Sequence, residues 1–600
     1  MRSAWLLSLI LLLPTTAVAA GYNDLGKLER ESVDDALALR GLSIEPEPQG
    51  KIIGAVQVVN LDVFLARERI PLVWANIFHR TTREHHVWRE SLLQAGDRYD
   101  QDLVEETTRN LQDPSLSNTV AVLPVKSATP GMVDLLIVTR DVWSLRFNQD
   151  FNYQQGQLNT YTASLSENNL FGWRKNLAAV FVMDQGEMSF GPNYIDPNIL
   201  GTRLKLEAAF YWIWARRIGE IAAGPQEGTS SRIRLEYPLW ALARRWGAYA
   251  DFSHYDGVIR HFLGANLRSV AVDPDPAGAE TAPWEYRYRT VTLSSAVTRS
   301  FPRATVIQRI SLGHELNLLR PSFLPEFPYA DGSPERTRFA QSVFPLSERT
   351  ADLFLRYDLF TPSFRTYRDL NTFDFREDMR LGPSLALKAG QASARVGSER
   401  SFSLFQASLD WTEDWAGGLE SIGGSWEGRL AEGEMTDQLV QARVSLATPL
   451  LGRVVRVVAA GNAGFLFENL RNRHFAVGGD NGLRGYPVGM FSGYGAQFIG
   501  HIEARTMALK LAFLRLGGLL FFDAGHAAAD TSGLTFYSDV GVGLRLLIPH
   551  LDTYAIRADW AFPLRSASSL SAGSSGNAAG SSGISAGWPG RVSLGFRQVF

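Results

Sequence analysis

Residues 535–548 read Thr-Phe-Tyr-Ser-Asp-Val-Gly-Val-Gly-Leu-Arg-Leu-Leu-Ile and alternate between two kinds of side chain. The apolar set, which only Ser538 interrupts, is Phe536, Val540, Val542, Leu544, Leu546 and Ile548, and the opposite set is Asp539, Gly541, Gly543 and Arg545. A repeat of two residues predicts a β-strand with one apolar face. A charged face behind it is typical of a barrel strand between lipid and a wet lumen. A soluble β-sandwich would show the same repeat, so this strand alone leaves both folds open.

Two segments nearer the C-terminus repeat the alternation. In residues 552–564 the apolar face is Tyr554, Ile556, Ala558, Trp560 and Phe562, and the polar face is Arg557 and Asp559. The final strand places Val592, Leu594 and Phe596 on the same face as the terminal residue, Phe600. Three consecutive amphipathic strands near the C-terminus favour a barrel that closes with its last strand.

The first 19 residues have the layout of a secretory signal peptide, with Arg2, an apolar run over 4–13 and small residues at 17–19. The apolar run is about 10 residues long, whereas a spanning helix needs about 20. The chain contains no Cys, which excludes disulfides and thiolate metal sites. A net charge of −3 provides no basic field for nucleic acid. Aromatic residues at 11% and 54 Gly suit a β-barrel with aromatic girdles.

The chain after the signal peptide divides into three parts. Residues 20–50 are an N-terminal segment and linker, in which we expect a solvated tail and then an extended stretch at Pro46 and Pro48. Residues 51–141 show the order β-α-α-β-β of a small α/β domain. From 142 to 600 the pattern changes to strands separated by connectors rich in Gly, Pro and Asp.

The third part is long enough for a large barrel. Divided over 16 strands, its roughly 450 residues give about 28 for each strand and its connector, which suits strands of about 10 residues with some long loops. Long loops are expected at 216–231, 272–284, 321–341 and the Ser/Gly/Ala-rich 566–590. Counting back from the C-terminus places the Gly-rich segment around Leu483-Arg484-Gly485-Tyr486 between the eleventh and twelfth strands, on the extracellular side.

This Gly-rich stretch carries the most informative charges in the chain. Leu483-Arg484-Gly485-Tyr486 is followed by a strand with Glu503, and then by Phe521-Phe522-Asp523-Ala524-Gly525. Strand alternation places both carboxylates on the lumen face, because a charge that faces lipid costs several kcal/mol. A guanidinium fork can engage two carboxylates at once, so Arg484 is expected to hold its loop against the barrel wall.

These features together resemble the BamA/TamA/TpsB superfamily of outer-membrane proteins, also called the bacterial surface antigen family. Residues 51–141 are similar to its POTRA domain, and Asn169-Leu170-Phe171-Gly172 to its early barrel turn. The Leu-Arg-Gly-Tyr motif and the Phe521-x-Asp523-x-Gly525 strand are similar to two further family motifs.

The resemblance implies a 16-stranded antiparallel transmembrane β-barrel with one periplasmic POTRA domain. It implies that Arg484 pairs with Asp523 and Glu503 inside the lumen, and that Phe600 is read as a C-terminal insertion signal by the barrel-insertion machinery. It also implies a function, the insertion of proteins into the outer membrane or their translocation across it. The partners would be outer-membrane lipids and periplasmic client proteins that bind the POTRA domain.

Other functions are less well supported by the sequence. Gly583-Ile584-Ser585-Ala586-Gly587 matches a hydrolase pattern but lies in low-complexity sequence, where a nucleophile elbow has no strand and helix around it. His85 and His86 are read as part of a solvated helix face. We therefore expect no enzymatic activity, metal or cofactor. Two alternatives stay open: a two-partner-type secretion pore with 22–41 as a plug helix, and a structural or adhesive barrel.

Overall fold

The structure is a computed structural model, and the chain divides into two compact units, Met1–Val142 and Trp143–Phe600. It describes residues 22, 25–63, 80–113, 116–154, 157–216, 223–263, 266–275, 278–368, 370, 376–480, 482–511, 514–548, 555–567 and 589–596. The signal peptide, the hydrolase-like pattern, most of 566–590 and Phe600 lie outside these residues. No helix in the described part of the chain is long and apolar enough to cross a membrane.

The first unit is a three-stranded sheet with helices. In chain order its elements are α1 Lys27–Arg40, β1 Ile52–Leu61, α2 Glu84–Arg89, α3 Gln101–Leu111, β2 Ser117–Lys126 and β3 Met132–Asp141. The sheet order is β1-β3-β2, with β1 parallel and β2 antiparallel to β3. Asp100 caps α3 by accepting the backbone N–H groups of Asp102 and Leu103. Val87, Val104 and Leu111 bring α2 and α3 onto one face of the sheet.

Helix α1 covers the opposite face of this sheet, so the expected solvated tail is wrong. Val33 and Ala36 are fully buried against side chains of all three strands. The chain then pairs with the edge strand β2, where Glu45 N–H donates to Pro124 O at 3.0 Å and Lys126 N–H donates to Ser43 O at 2.9 Å. The segment that could have been a plug helix is therefore part of the core of the first unit.

Replacing Val33 with Asp should detach α1 from the sheet, because the substitution buries an unpaired charge. We expect a loss of about 3 kcal/mol in the stability of this packing. Limited proteolysis of the full chain should then cut within 22–50. Leu39→Asp is the control, since Leu39 lies on the same helix with 69% of its surface exposed. Equal cleavage of both variants would contradict the packing role of Val33.

The second unit consists almost entirely of strands. The first are β4 Leu145–Gln154, β5 Gln157–Glu167, β6 Asn176–Met183, β7 Glu187–Asp196, β8 Lys205–Arg216, β9 Ala223–Tyr237, β10 Trp246–Arg260, β11 Phe262–Leu263, β12 Asn266–Leu267, β13 Ser269–Ala271, β14 Thr281–Pro283, β15 Glu285–Pro302, β16 Ile307–Ser322, β17 Glu348–Phe360, β18 Ser363–Arg368 and β19 Arg376–Ala392. They continue with β20 Phe402–Trp415, β21 Gly418–Ala431, β22 Glu434–Ala447, β23 Val455–Phe467, β24 Phe475–Val477, β25 Phe491–Gly493, β26 Ala496–Thr506, β27 Leu509–Leu511, β28 Leu514–Ala528, β29 Tyr537–Leu547, β30 Ile556–Pro563 and β31 Arg591–Phe596. The helical pieces are α4 Pro334–Val343 and the 3₁₀ turns Leu170–Gly172, Ile199–Gly201 and Ala394–Val396.

These strands form a closed antiparallel barrel in which β31 pairs with β4. Among the described residues it has about 20 strand positions, because β18 continues β17 and β27 continues β26. The expected count of 16 is therefore too low. Several connections are much shorter than 16 strands would require on average: Ala416-Gly417 joins β20 to β21, and Glu432-Gly433 joins β21 to β22. All four turn residues have positive φ, as a type I′ hairpin turn requires.

Of the four predicted long loops, 272–284 and 321–341 lie in long connections between barrel strands, 216–231 does not, and 566–590 lies mostly outside the described residues. Strands β8 and β9 extend through most of 216–231, so this region is largely hairpin. The 272–284 region carries the short ladder of β13 and β14, and 321–341 carries most of α4.

The first and last barrel strands distinguish the two rims of the barrel. The terminal rim is the end where β4 begins and β31 ends, and the opposite end is the loop rim. Outward side chains between the rims are large, apolar and exposed, among them Phe147, Leu312, Leu355, Ile422, Leu520 and Leu544. On β29 the outward Leu544 is 50% exposed and the inward Arg545 is 1% exposed, as the alternation of residues 535–548 predicts. This pattern suits a barrel surrounded by lipid.

Candidate functional site: an arginine loop in the barrel lumen

The Leu-Arg-Gly-Tyr motif lies on a loop between β23 and β26, which are neighbours in the barrel. Counted from the first described barrel strand they are the fifteenth and sixteenth positions, not the eleventh and twelfth. Counted from the C-terminus their place is the one predicted. Inside the loop, β24 and β25 pair antiparallel and enclose residues 478–490. We call these residues the lumen loop.

Backbone hydrogen bonds fold the lumen loop on itself. Gly479 N–H donates to the carbonyl oxygens of Leu483 and Tyr486, both at 2.9 Å. Gly478 has φ 132°, and a Cβ there would lie 2.2 Å from Pro487 O. Only glycine fits this left-handed and crowded position without distortion.

Apolar side chains fix the loop against the inner wall. Leu483 and Tyr486 are fully buried in one cluster with Val477, Met490 and Ile499. The Tyr486 hydroxyl donates to the carbonyl oxygen of Arg565 at 2.7 Å, and its ring meets Phe491 and Tyr537 edge-on. Two of the four motif residues are thus apolar supports for the arginine between them.

Arg484 binds the barrel wall through most of its guanidinium group. Nε and Nη2 donate to the two carboxylate oxygens of Asp523 at 2.7 and 2.8 Å, and Nη1 donates to Glu503 Oε1 at 2.8 Å. Nη1 also lies 3.5 Å from Asp559 Oδ2. The guanidinium carbon lies 3.5 Å from the ring centroid of Phe521. Arg484 is 1% exposed, so these paired contacts replace its hydration.

A second layer of charged groups surrounds these contacts. Arg505 Nε donates to Glu503 Oε2 at 2.7 Å, and His501 Nδ1 lies 3.0 Å from Asp523 Oδ1. Arg545 Nη1 donates to Asp559 Oδ1 at 2.6 Å. Each carboxylate bound by Arg484 therefore has another polar partner, which fixes its orientation.

Asp539 and Asp480 extend the network to the loop backbone and to a neighbouring strand. Gly485 N–H donates to Asp539 Oδ2 at 2.9 Å. Arg557 binds Asp480 and also donates to Asp559 Oδ2 at 3.2 Å. Charges from β26, β28, β29 and β30 therefore converge on one loop. The arrangement is suited to holding the loop in one position.

The sequence predicts Arg484, Glu503 and Asp523 as partners, and the structure brings them together. Asp559, Asp480 and Arg505 also belong to the network, but they were not predicted as partners. The alternation of residues 552–564 places Asp559 on the inward face of its strand, but the sequence does not give the register in which β30 pairs with β29.

The remaining motif residues have separate positions. Phe521 supports Arg484, and a Cβ at Gly525 would lie 2.8 Å from Phe498 O, so the strand approaches closely there. The Asn169-Leu170-Phe171-Gly172 turn lies at the terminal rim between β5 and β6, not at the lumen loop. It is closed by the Asn169 side chain, whose Oδ1 accepts the Arg174 N–H at 2.9 Å.

Comparisons with known proteins give structural similarity only. No family model matches the chain, and no curated protein matches it in sequence. Among solved structures, the crystal structure of BamA from Haemophilus ducreyi lacking POTRA domains 1-3 matches with a TM-score of 0.34 and 13% identity, over 95% of this chain and 92% of that one. CdiB from Acinetobacter baumannii matches with a TM-score of 0.40 and 10% identity, over 95% and 81%. CdiB from Escherichia coli matches with a TM-score of 0.41 and 10% identity, over 91% and 76%.

Proposed function

We propose that this protein is a bacterial outer-membrane barrel that inserts proteins into the outer membrane or moves them across it. The first unit would be a POTRA domain in the periplasm, and the terminal rim would be the periplasmic rim. The signal-peptide pattern and the exposed apolar belt of the barrel support this placement.

The observation that carries the proposal is the seam at which the last barrel strand meets the first. There Ser593 pairs with Gln154 and Leu594 with Tyr153, so β31 and β4 close the barrel. Unpaired backbone at a strand edge is a template for another strand, so opening this seam would offer an entering barrel protein a place to pair.

The lumen loop and the first unit would have supporting roles. Arg484 would brace the lumen loop against β26, into which the loop continues, and against the neighbouring β28, and so keep that part of the wall fixed while the seam opens. In the first unit residues 43–45 already pair with the outer edge of β2, so we propose that a client strand pairs with β1, the strand at the other edge of the sheet. The energy would come from client folding, since the sequence shows no nucleotide-binding motif.

Crosslinking the seam tests this proposal, because the chain contains no Cys of its own. The register partners Tyr153 and Leu594 are both changed to Cys, and Leu544 and Ala558, partners across β29 and β30, serve as the matched control. Each variant replaces the wild type in its host, and outer-membrane protein abundance is measured by quantitative mass spectrometry. We expect the oxidised seam variant to lose client proteins at least as strongly as a deletion strain, with recovery under reduction.

The outcome also separates the alternatives. If locking the seam lowers the abundance of client membrane proteins while the lumen itself is unchanged, insertion is supported. A locked seam that leaves both membrane and secreted proteins at wild-type abundance would contradict the insertion mechanism. If deletion of the whole protein also changes no client, the structural or adhesive barrel is the better reading. Loss of one secreted protein on deletion, unaffected by the locked seam, favours a secretion pore through the lumen.

A further inference from the structure

Two turns at the terminal rim repeat each other in sequence and in structure. Residues 169–175 read Asn-Leu-Phe-Gly-Trp-Arg-Lys, and residues 198–204 read Asn-Ile-Leu-Gly-Thr-Arg-Leu. Each holds a 3₁₀ turn closed by the same backbone bond, Leu170 N–H to Lys175 O at 2.9 Å and Ile199 N–H to Leu204 O at 2.8 Å. The first joins β5 to β6 and the second joins β7 to β8.

Each turn presents a large apolar residue in an unfavourable backbone conformation. Phe171 has φ 57° and Leu200 has φ 50°, in the left-handed region that favours glycine. Their side chains are 63% and 94% exposed. The tight turns set these backbone angles, but packing among the described residues does not account for the exposure, so both residues fit a function outside the chain.

The same rim is rich in cations. Three successive turns, 168–175, 197–204 and 238–245, contain five Arg or Lys residues and neither Asp nor Glu. Lys175 Nζ lies 5.0 Å from the ring centroid of Trp173 and is paired with Asp196 at 3.0 Å. The guanidinium carbons of Arg203 and Arg244 lie 4.1 and 3.9 Å from the Trp240 ring centroid. Stacking on tryptophan holds these cations at the rim while preserving their charge.

The turns continue directly from the apolar belt of the barrel. Leu165 near the end of β5 and Leu177 near the start of β6 are exposed on the outward face, within a few residues of the first turn. Tryptophan and basic residues at such a border are typical of a membrane interface. This continuity favours lipid as the partner over a protein surface.

We propose that these three turns form a binding rim for anionic phospholipids. Headgroup phosphates would bind at Arg174 and at the Arg203 and Arg244 pair on Trp240, while Phe171 and Leu200 insert among the acyl chains. The inference rests on the proposed placement of the barrel in a membrane, and it does not depend on what the barrel inserts or transports.

The test is lipid binding to the full, folded protein in detergent, measured as retained lipid by native mass spectrometry. Phosphatidylglycerol is compared with zwitterionic phosphatidylethanolamine. The triple variant Arg174→Gln, Arg203→Gln and Arg244→Gln should bind phosphatidylglycerol about fivefold more weakly for each charge removed. Its phosphatidylethanolamine binding should change little. The double variant Phe171→Ser and Leu200→Ser should weaken retention of both lipids.

The matched control removes three cations from the loop rim, as Arg338→Gln, Arg395→Gln and Arg400→Gln. The control should bind both lipids as the wild type does. Equal loss in the two triple variants would show a general effect of net charge and overturn the proposal, as would unchanged binding in the terminal-rim variant. Heat-resistant migration on a gel is measured for each variant, so that misfolding is recognised separately. Client abundance is a different readout, so failure here leaves the proposed function intact.

Discussion

Replacing Arg484 with alanine should lower the temperature at which the folded barrel loses its compact, heat-resistant migration on a gel. The substitution leaves Asp523 and Glu503 buried without the guanidinium that binds both. Removing one partner of a buried ion pair typically costs about 3–5 kcal/mol. Water that enters the lumen can solvate the two carboxylates and should lower this cost to the stability of the barrel. The larger effect is therefore expected on the position of the lumen loop. Protease cleavage within 475–495 should rise.

Two further variants define what Arg484 contributes. Arg484→Lys keeps the charge but cannot form the bidentate pair with Asp523, so it should fall between alanine and the wild type. Asp523→Asn removes the main carboxylate partner and should resemble Arg484→Ala.

Arg356→Ala is the matched control for the arginine prediction. Arg356 is a barrel-strand arginine that donates to Asp358 at 2.8 Å, but its side chain is 45% exposed. Exposed pairs of this kind contribute little to stability. If Arg356→Ala and Arg484→Ala shift the gel transition and the cleavage equally, the lumen loop is not held by Arg484.

How far the sequence predicts this molecule depends on the kind of information each element needs. Alternation alone shows which residues share a face of β29 and β30, and counting strands back from the C-terminus gives the position of the lumen loop. The strand count failed where hairpins turn in two residues, as at Ala416-Gly417 and Glu432-Gly433, because such turns occupy almost no sequence.

Two other features depend on contacts that no local pattern records. Helix α1 packs through Val33 and the small residues Ser32 and Ala36, all fully buried, so its apolar pattern is weak. The contact between Arg484 and Asp559 depends on the registers of β28, β29 and β30, which only the closed barrel determines.

Gly485→Ala should displace the lumen loop although it removes no charge. A Cβ at this position would lie 2.7 Å from Asp539 Cβ and 3.1 Å from Pro563 N, atoms of two paired barrel strands. Because the barrel ladder is the stiffer partner, the loop should move, and the Gly485 bond to Asp539 should lengthen. Overpacking of this kind costs about 1–3 kcal/mol. The measurements are heat-resistant migration and protease cleavage within 475–495.

The control for this prediction is Gly424→Ala on β21, where the nearest atom to a new Cβ is Gln441 O at 3.7 Å. It should leave both measurements unchanged. A Gly485→Ala variant that also behaves as the wild type would mean that the close approach at Asp539 is not needed.

Combining Gly485→Ala with Arg484→Ala tests whether the motif acts as a unit. Residues that share one network are not additive, whereas independent sites add within about 0.5 kcal/mol. If the lumen loop is released as a whole, the double variant should be little worse than the more damaging single variant. Full additivity would instead mean that the arginine and the glycine stabilise the barrel separately. In that case the charge network would fix its carboxylates and the glycine would fit the loop to the wall, with no common holding role.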